Sequence, residues 1–330
     1  MVLKLNVIEK INAELKDDIA ALNALILQCI KSDTELIEAV GSHLINAGGK
    51  RVRPILTLIC AKLFGYQGTL HINLAASVEF IHTATLLHDD VVDESTVRRS
   101  IPTANVIWGS KASILVGDFL FSQAFIQMVH GNSIRALESL SQAASLITEG
   151  EVMQLTNIHD IDMLEEDYFK VIRCKTAELF ATSCEIGGII SNKDENTLAI
   201  IKEYGKNLGL IFQLTDDLLD YFASQKELGK TPGADFREGK VTLPVIYAYQ
   251  RGTDEERNFW RRTMVELKQA EGDLEKAIEL MLKYDVEALT SEKIKTLKKE
   301  ASTLLSKLPF DNIYKSFLYE LIDFIVVRRK

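Results

Sequence analysis

Only five prolines, Pro54, Pro102, Pro232, Pro244 and Pro309, punctuate a chain of 330 residues. Between them apolar side chains recur at three- and four-residue spacing, as in Ile19-Leu22-Leu25-Ile26, Leu137-Leu140-Ala144-Ile147 and Leu304-Leu305-Leu308. That period is the turn of an α-helix. Proline inside a helix deletes a hydrogen bond and clashes with the preceding turn, so long proline-free stretches suit long helices. No sustained alternation of period two is present, and strands are not indicated. Turn signals fall at Gly48-Gly49, Gly131-Asn132, Asn192-Lys193-Asp194, Pro232-Gly233 and Gly252-Thr253, with no low-complexity linker among them. The expectation is an all-α chain. Residues 1–330 should form a single-domain bundle of about ten or more helices around a central cavity, its middle running from Asn73 to about Ser224.

The chain is 47% apolar, enough for a sizeable core. Its unbroken apolar runs stay below the roughly 18 residues that a bilayer span needs. Met1 to Lys10 lacks the basic-then-apolar order of a signal peptide. A soluble, cytoplasmic protein with no transmembrane segment is expected. A net charge of −9 disfavours nucleic acid as a partner, because that calls for a basic face. Cys29, Cys60, Cys174 and Cys184 have no CxxC spacing, which argues against a zinc site or a disulfide framework.

Two segments carry chemistry. The first reads His82-Thr-Ala-Thr-Leu-Leu-His88-Asp89-Asp90-Val-Val-Asp93-Glu-Ser-Thr-Val-Arg98-Arg99. At about 100° per residue, Asp89 and Asp93 share one helical face, with Asp90 beside them. Carboxylates one turn apart on an apolar helix repel each other unless a cation neutralises them. Mg²⁺, which takes oxygen ligands and shares them with phosphates and water, suits that need. The second segment, Gln213-Leu-Thr-Asp216-Asp217-Leu-Leu-Asp220-Tyr221, repeats the spacing in the same apolar setting. One such motif is a weak signal. Two, each set among leucines or valines, are hard to read as solvated helix ends.

Basic clusters accompany the aspartates. Gly48-Gly49-Lys50-Arg51-Val52-Arg53-Pro54 is a glycine-rich loop entering a helix, where open N–H groups and the helix dipole favour an anion. Arg98-Arg99 follows the first motif, Lys175-Thr176 sits mid-chain, and Lys230 and Lys240 follow the second motif. Each alone reads as an ordinary exposed cation. Together with two acidic sites they fit metal-bridged diphosphates.

The ordered run GGKRVRP, HDDVVDESTVRR, KTAEL, FQLTDDLLDY, GK and EGKVTLP resembles the trans-isoprenyl diphosphate synthases, and within them the long-chain group. The match spans about Gly41 to Gln250. Two departures are visible: Ser100 stands where glycine commonly follows the arginine pair, and Ala234 where an acidic residue is frequent before Asp235. The resemblance implies a Mg²⁺-dependent prenyltransferase with about three ions per active site. Its substrates would be isopentenyl diphosphate and an allylic diphosphate primer. It also implies a homodimer, a transient membrane contact for product release, and a product of the kind that becomes a quinone side chain.

On the same resemblance, Asp89, Asp93 and Asp216 hold metal, and Asp90, Asp217 and Asp220 complete or support the shells. Arg98, Lys175, Lys230 and Lys240 hold the allylic diphosphate, with Thr176 and Gln213 as dipoles beside the cation. Gly49, Lys50, Arg53, His82 and Arg99 hold isopentenyl diphosphate. Counting back from Asp89 by turns gives Thr85 and Ala84, then Ile81, as the wall of a chain-length tunnel. Phe125 and Met128 on a facing helix from Ser110 to Val129 are candidates for its floor. His43, His71, His130 and His159 read as structural, and His88 is left open. A class I terpene cyclase, a non-catalytic partner subunit and a purely structural bundle are the competing readings. The GGKRVRP segment argues against the first, and the intact aspartate motifs against the other two.

Overall fold

The computed structural model describes residues 6–46, 48–99, 101–223 and 232–327. The chain is all-α. Helices begin and end where the sequence punctuates them. Asn6 and Thr253 each close a reciprocal capping box, with Glu9 and Glu256 respectively. Pro54 and Pro244 fall within first turns, where a missing N–H costs nothing. Asn132 and Asn192 take positive φ directly after long helices. One departure from the strand-free expectation is the pair Val97–Arg98 and Ile101–Pro102, which forms a two-residue antiparallel hairpin. It is too short for a period-two pattern to register.

The described residues divide into two compact units, each drawn from separated stretches of chain. The first comprises residues 1–144, 179–205 and 304–321, and the second residues 145–178, 206–303 and 322–330.

In the first unit the helix Leu70–Val92 is apolar nearly all round and buried accordingly, as a core helix must be. It packs most extensively on Ser110–His130, with the helices Lys16–Cys29 and Val52–Leu63 also against it. The seam with Ser110–His130 is made by small residues. Ser77 Oγ donates to Ala124 O at 3.2 Å, and Ser113 Oγ to Leu87 O at 3.0 Å. Gly117 leaves room for the His88 ring, since a Cβ there would lie 2.3 Å from Nε2. His88 is therefore used for helix packing.

Among the described residues, Ser110–His130 is the one helix long and apolar enough, by length and composition, to cross a membrane. Its apolar residues are interrupted by Ser113, Gly117, Asp118, Ser122, Gln123 and Gln127, so a count of unbroken runs passes over it. Only part of it is buried. Leu115 and Val129, 67% and 64% exposed, belong to an outward apolar face with Ile114, Phe125 and Ile126.

In the second unit, Glu165–Ile172 runs into a π-helical turn, Arg173–Ala177, before Glu178–Ile190 begins. Gly150 admits that widened turn: a Cβ there would lie 2.6 Å from the Lys175 nitrogen. The helix Glu195–Phe222 enters this unit at Lys206 and carries the second aspartate motif.

Candidate active site

In the first unit the helix Leu70–Val92 ends at the aspartate motif, with Asp93 as its C-cap. Asp89 and Asp93 are half-buried, whereas Asp90 is fully buried. A buried carboxylate needs a partner, and Arg98 supplies it: Nε and Nη2 each lie 2.8 Å from Asp90 Oδ1. Burial pushes the Asp90 carboxyl up, and Arg98 pulls it back down. The loop that carries Arg98 and Arg99 is tied in place. Asn105 Nδ2 donates to Asp90 O and Ser95 O, both at 3.1 Å, and Thr103 Oγ1 donates to Ser95 O at 2.7 Å. His43 Nε2 meets Pro102 O at 2.9 Å.

The glycine-rich loop and the arginine pair, 50 residues apart in sequence, converge. A Cβ on Gly49 would fall 2.7 Å from Arg99 Nη1, and Gly49 has φ 149°. Only glycine lets that guanidinium lie on the backbone. Arg51 takes a left-handed conformation and starts the helix Val52–Leu63 without a side-chain cap, so its first N–H groups stay open to an anion. Arg53 Nη1 donates to His82 Nε2 at 3.1 Å and lies 4.5 Å over the Phe180 ring. A guanidinium has no acceptor, so the His82 proton sits on Nδ1. Burial, and then the Arg53 and Arg99 cations, hold His82 well below the usual imidazole range, hence neutral. Lys50 is exposed at the rim.

Sequence reasoning missed Glu79. It faces Arg51 at 3.6 Å, and burial raises its carboxyl against the pull of Arg51, Arg53 and Arg99. The signal was an acid three residues before His82 on an otherwise apolar helix.

The second motif handles its charges differently. Asp216 is half-buried, while Asp217 and Asp220 are 2% and 1% exposed. Among the described residues, Asp217 has no cation on it. Its Oδ2 accepts from the Tyr168 hydroxyl and its Oδ1 from Gln213 Nε2 at 2.8 Å. Burial pushes the Asp217 carboxyl up to about 7, against those two donors. Gln213 Oε1 in turn accepts from Thr176 Oγ1 at 2.8 Å. Asp220 closes the chain that follows: its Oδ2 accepts the Asp235 N–H at 2.9 Å and its carbonyl the Gly233 N–H at 2.7 Å.

A cleft in this unit is lined by Tyr168, Lys175, Gln213, Asp217, Asp235 and Lys240, with Met163, Val171 and Ile172 as its apolar side. Lys175 projects from the π turn and pairs with Glu151 at 2.7 Å, and Lys240 pairs with Glu238 at 2.7 Å. Lys230 lies outside the described residues, as does Ser100. Tyr168 and Glu151 had no motif to mark them, and Asp235 was named only as the neighbour of Ala234.

Among the described residues no three His, Cys, Asp or Glu side chains converge tightly enough to hold an ion alone. The donor set suits Mg²⁺ all the same. In the first unit Asp89 and Asp93 are half-buried and Asp90 Oδ2 is buried with no hydrogen-bond partner, and in the second unit Asp216 is half-buried. Mg²⁺ completes its shell with substrate oxygens and water.

Of the tunnel candidates, Ile81 and Ala84 are fully buried and Thr85 is half-buried, its Oγ1 donating to His82 O at 2.9 Å. Ala84 falls seven residues after Ser77 and four before His88, on the face that meets Ser110–His130. Met128 is buried at the level of Leu74, beside the bond from Asn73 Nδ2 to Gln127 Oε1. Phe125, grouped with it as a floor, is 42% exposed and sits edge-on to Phe121.

Residues 34–281 match the family described as polyprenyl synthetase. The chain is 45% identical over 274 residues to octaprenyl diphosphate synthase of Escherichia coli (strain K12), covering 83% of this chain and 84% of that one. It superimposes on a decaprenyl diphosphate synthase from Rhodobacter capsulatus with a TM-score of 0.93 at 46% identity, covering 98% of this chain and 99% of the other. A polyprenyl synthase from Caulobacter crescentus CB15, solved with calcium and isoprenyl diphosphate, gives a TM-score of 0.94 at 44% identity, with 98% of each chain covered.

Proposed function

The chain belongs to the polyprenyl synthetase family, and from that premise we propose that it condenses an allylic diphosphate with successive isopentenyl diphosphates into a long-chain polyprenyl diphosphate. One observation carries the reading: each aspartate motif has its own cationic neighbourhood. Arg53 and Arg99 gather with the glycine-rich loop beside the first, Arg98 sits on Asp90, and Lys175 and Lys240 line the cleft at the second. One substrate ionises and the other must stay intact, so two separate diphosphate sites are what the chemistry requires.

In each cycle the allylic C–O bond breaks, the double bond of isopentenyl diphosphate attacks the cation, and a proton leaves with the released diphosphate as base. Mg²⁺, when bound, supplies Lewis-acid neutralisation of the leaving group. Asp89, Asp93 and Asp216 would hold about three such ions, with Asp90, Asp217 and Asp220 supporting them. Lys175, Lys240 and Lys230 bind the allylic diphosphate, together with the N–H groups that Arg98 does not spend on Asp90. Thr176 and Gln213 aim dipoles at the developing cation. Gly49, Lys50, Arg53, His82 and Arg99 hold isopentenyl diphosphate without ionising it. The tail grows past Thr85, Ala84 and Ile81 to about C40, against the apolar wall that such a tail requires.

The same reading carries a homodimer in the cytoplasm, where both water-soluble substrates are found. The outward apolar face of Ser110–His130 supports pairing, since large exposed apolar patches mark interaction sites. Its product, fit for a quinone side chain, leaves through transient membrane contact. The test is turnover of radiolabelled isopentenyl diphosphate with and without Mg²⁺, with products sized by chain length. Metal-dependent products near C40 are expected. No incorporation, or a chief product of C15, overturns the reading.

A further inference from the structure

The two motifs share a spacing, but their second aspartates have different partners. Asp90 has a guanidinium, whereas among the described residues Asp217 is held by neutral donors, Tyr168 and Gln213. Tyr168 is itself buried, 3% exposed, and its ring sits edge-on to Phe169 at 5.5 Å. The chain of bonds has a definite sense. The Tyr168 hydroxyl donates to one Asp217 oxygen, Gln213 Nε2 donates to the other, and Gln213 Oε1 faces the Thr176 hydroxyl. Those two bonds, Nε2 on Asp217 Oδ1 and Oε1 under the Thr176 hydroxyl, set which end of the amide is nitrogen. With the nitrogen turned to Asp217, the amide oxygen is left on the Thr176 side. Both Tyr168 and Gln213 line the cleft that holds Lys175.

We propose that Tyr168 is a positioning residue for the allylic step: by clamping the Asp217 carboxylate it locks the Gln213 amide with its oxygen presented to the developing cation. Without the hydroxyl, Asp217 is free to rotate in its buried site and the amide is free to flip. A flipped amide aims N–H groups at a cation, which reverses the sign of the interaction. The inference rests on the allylic assignment of this cleft.

The experiment compares Tyr168→Phe, which removes one oxygen and keeps the ring, with Gln213→Ala and the double variant. Lys175→Ala is assayed in parallel. Tyr168→Phe should lower kcat by about 10- to 100-fold, as loss of a supporting hydrogen bond does at a catalytic centre. The KM for isopentenyl diphosphate should stay within about twofold, because only a transition-state contact is lost. In the Gln213→Ala background, Tyr168→Phe should cost no more than about a further twofold, since the effect runs through Gln213. A kcat within twofold of wild type, or an undiminished loss in the double variant, overturns the inference. Should Tyr168→Phe not fold, a crystal structure of the wild-type enzyme decides: a Tyr168 oxygen beyond about 3.5 Å from Asp217 overturns the clamp. If Lys175→Ala leaves turnover intact, the allylic assignment itself has failed. If Lys175→Ala is crippled and Tyr168→Phe is not, only the clamp has.

Discussion

Arg98 turns its guanidinium back onto Asp90, with Nε and Nη2 both 2.8 Å from the same buried carboxylate oxygen. The pairing separates the work of two adjacent aspartates. Asp90→Ala strands a partly buried cation and should cost about 1–3 kcal/mol of stability. Asp89→Ala and Asp216→Ala should cut turnover by orders of magnitude while leaving melting unchanged or slightly improved, because a like-charge neighbour is gone. Thermal melts and turnover on the same samples check this. A near-wild-type rate for Asp89→Ala or Asp216→Ala would remove the metal role.

Gly49 gives the isopentenyl site its own probe. Gly49→Ala places a Cβ against the Arg99 guanidinium and strains a φ that side chains avoid. The expected result is a KM for isopentenyl diphosphate raised about tenfold or more with the allylic KM held, the signature of lost uniform binding. Lys50→Ala should act in the same direction. Steady-state kinetics in both substrates decide it, and an unmoved isopentenyl KM in both variants speaks against the assignment.

For the growing tail, Thr85 makes a cleaner plug than Ala84. Ala84 shares a face with Ser77 and His88 in the tight helix seam, so Ala84→Phe should force two helices apart and lower the melting temperature. Thr85→Phe, half-buried one residue on, should shorten the product to about C15 or C20 by filling the apolar path. Met128 lies level with Leu74, about 22 Å along the helix from Asp89 at 1.5 Å per residue. Met128→Ala should lengthen the product if it forms the floor, and exposed Phe125→Ala should not change it. Chromatography of the products distinguishes these outcomes.

Away from the site, Glu256 supplies a pH test. Bonds from Lys283 and Tyr284 hold its carboxyl down at about 2. A depressed acid stabilises the fold above its unfolded pKa of 4.5 and loses that contribution as pH falls toward 2. Glu256→Gln should therefore cost about 1 kcal/mol at pH 7, with the gap to wild type closing between pH 4.5 and 2. A gap independent of pH counts against the charge as its source.

The outward face of Ser110–His130 gives the last test. Leu115→Lys should dissociate the homodimer, measured by light scattering, with little change in monomer stability, because Leu115 is two-thirds exposed. A wild-type protein that runs as a monomer at micromolar concentration rules the dimer out.

The helices were legible because proline placement and apolar period are local signals, and so were the aspartates, whose spacing is itself local. Glu79, Tyr168 and Glu151 were not, since each matters through a partner 24 to 49 residues away. The division of labour within each motif was hidden for the same reason. Asp90 and Asp89 are the same residue type side by side, and only Arg98 folding back distinguishes them.

The seam of Ser77, Ser113, Gly117 and Ala124 has a consequence for repeated synthesis. Two helices joined by backbone-level contacts have little slack between them. An enzyme that adds identical units must stop by measuring, and a ruler is useful only if it does not stretch as its load grows. If the growing tail is measured along this seam, loosening it should broaden the product distribution before it shifts the mean.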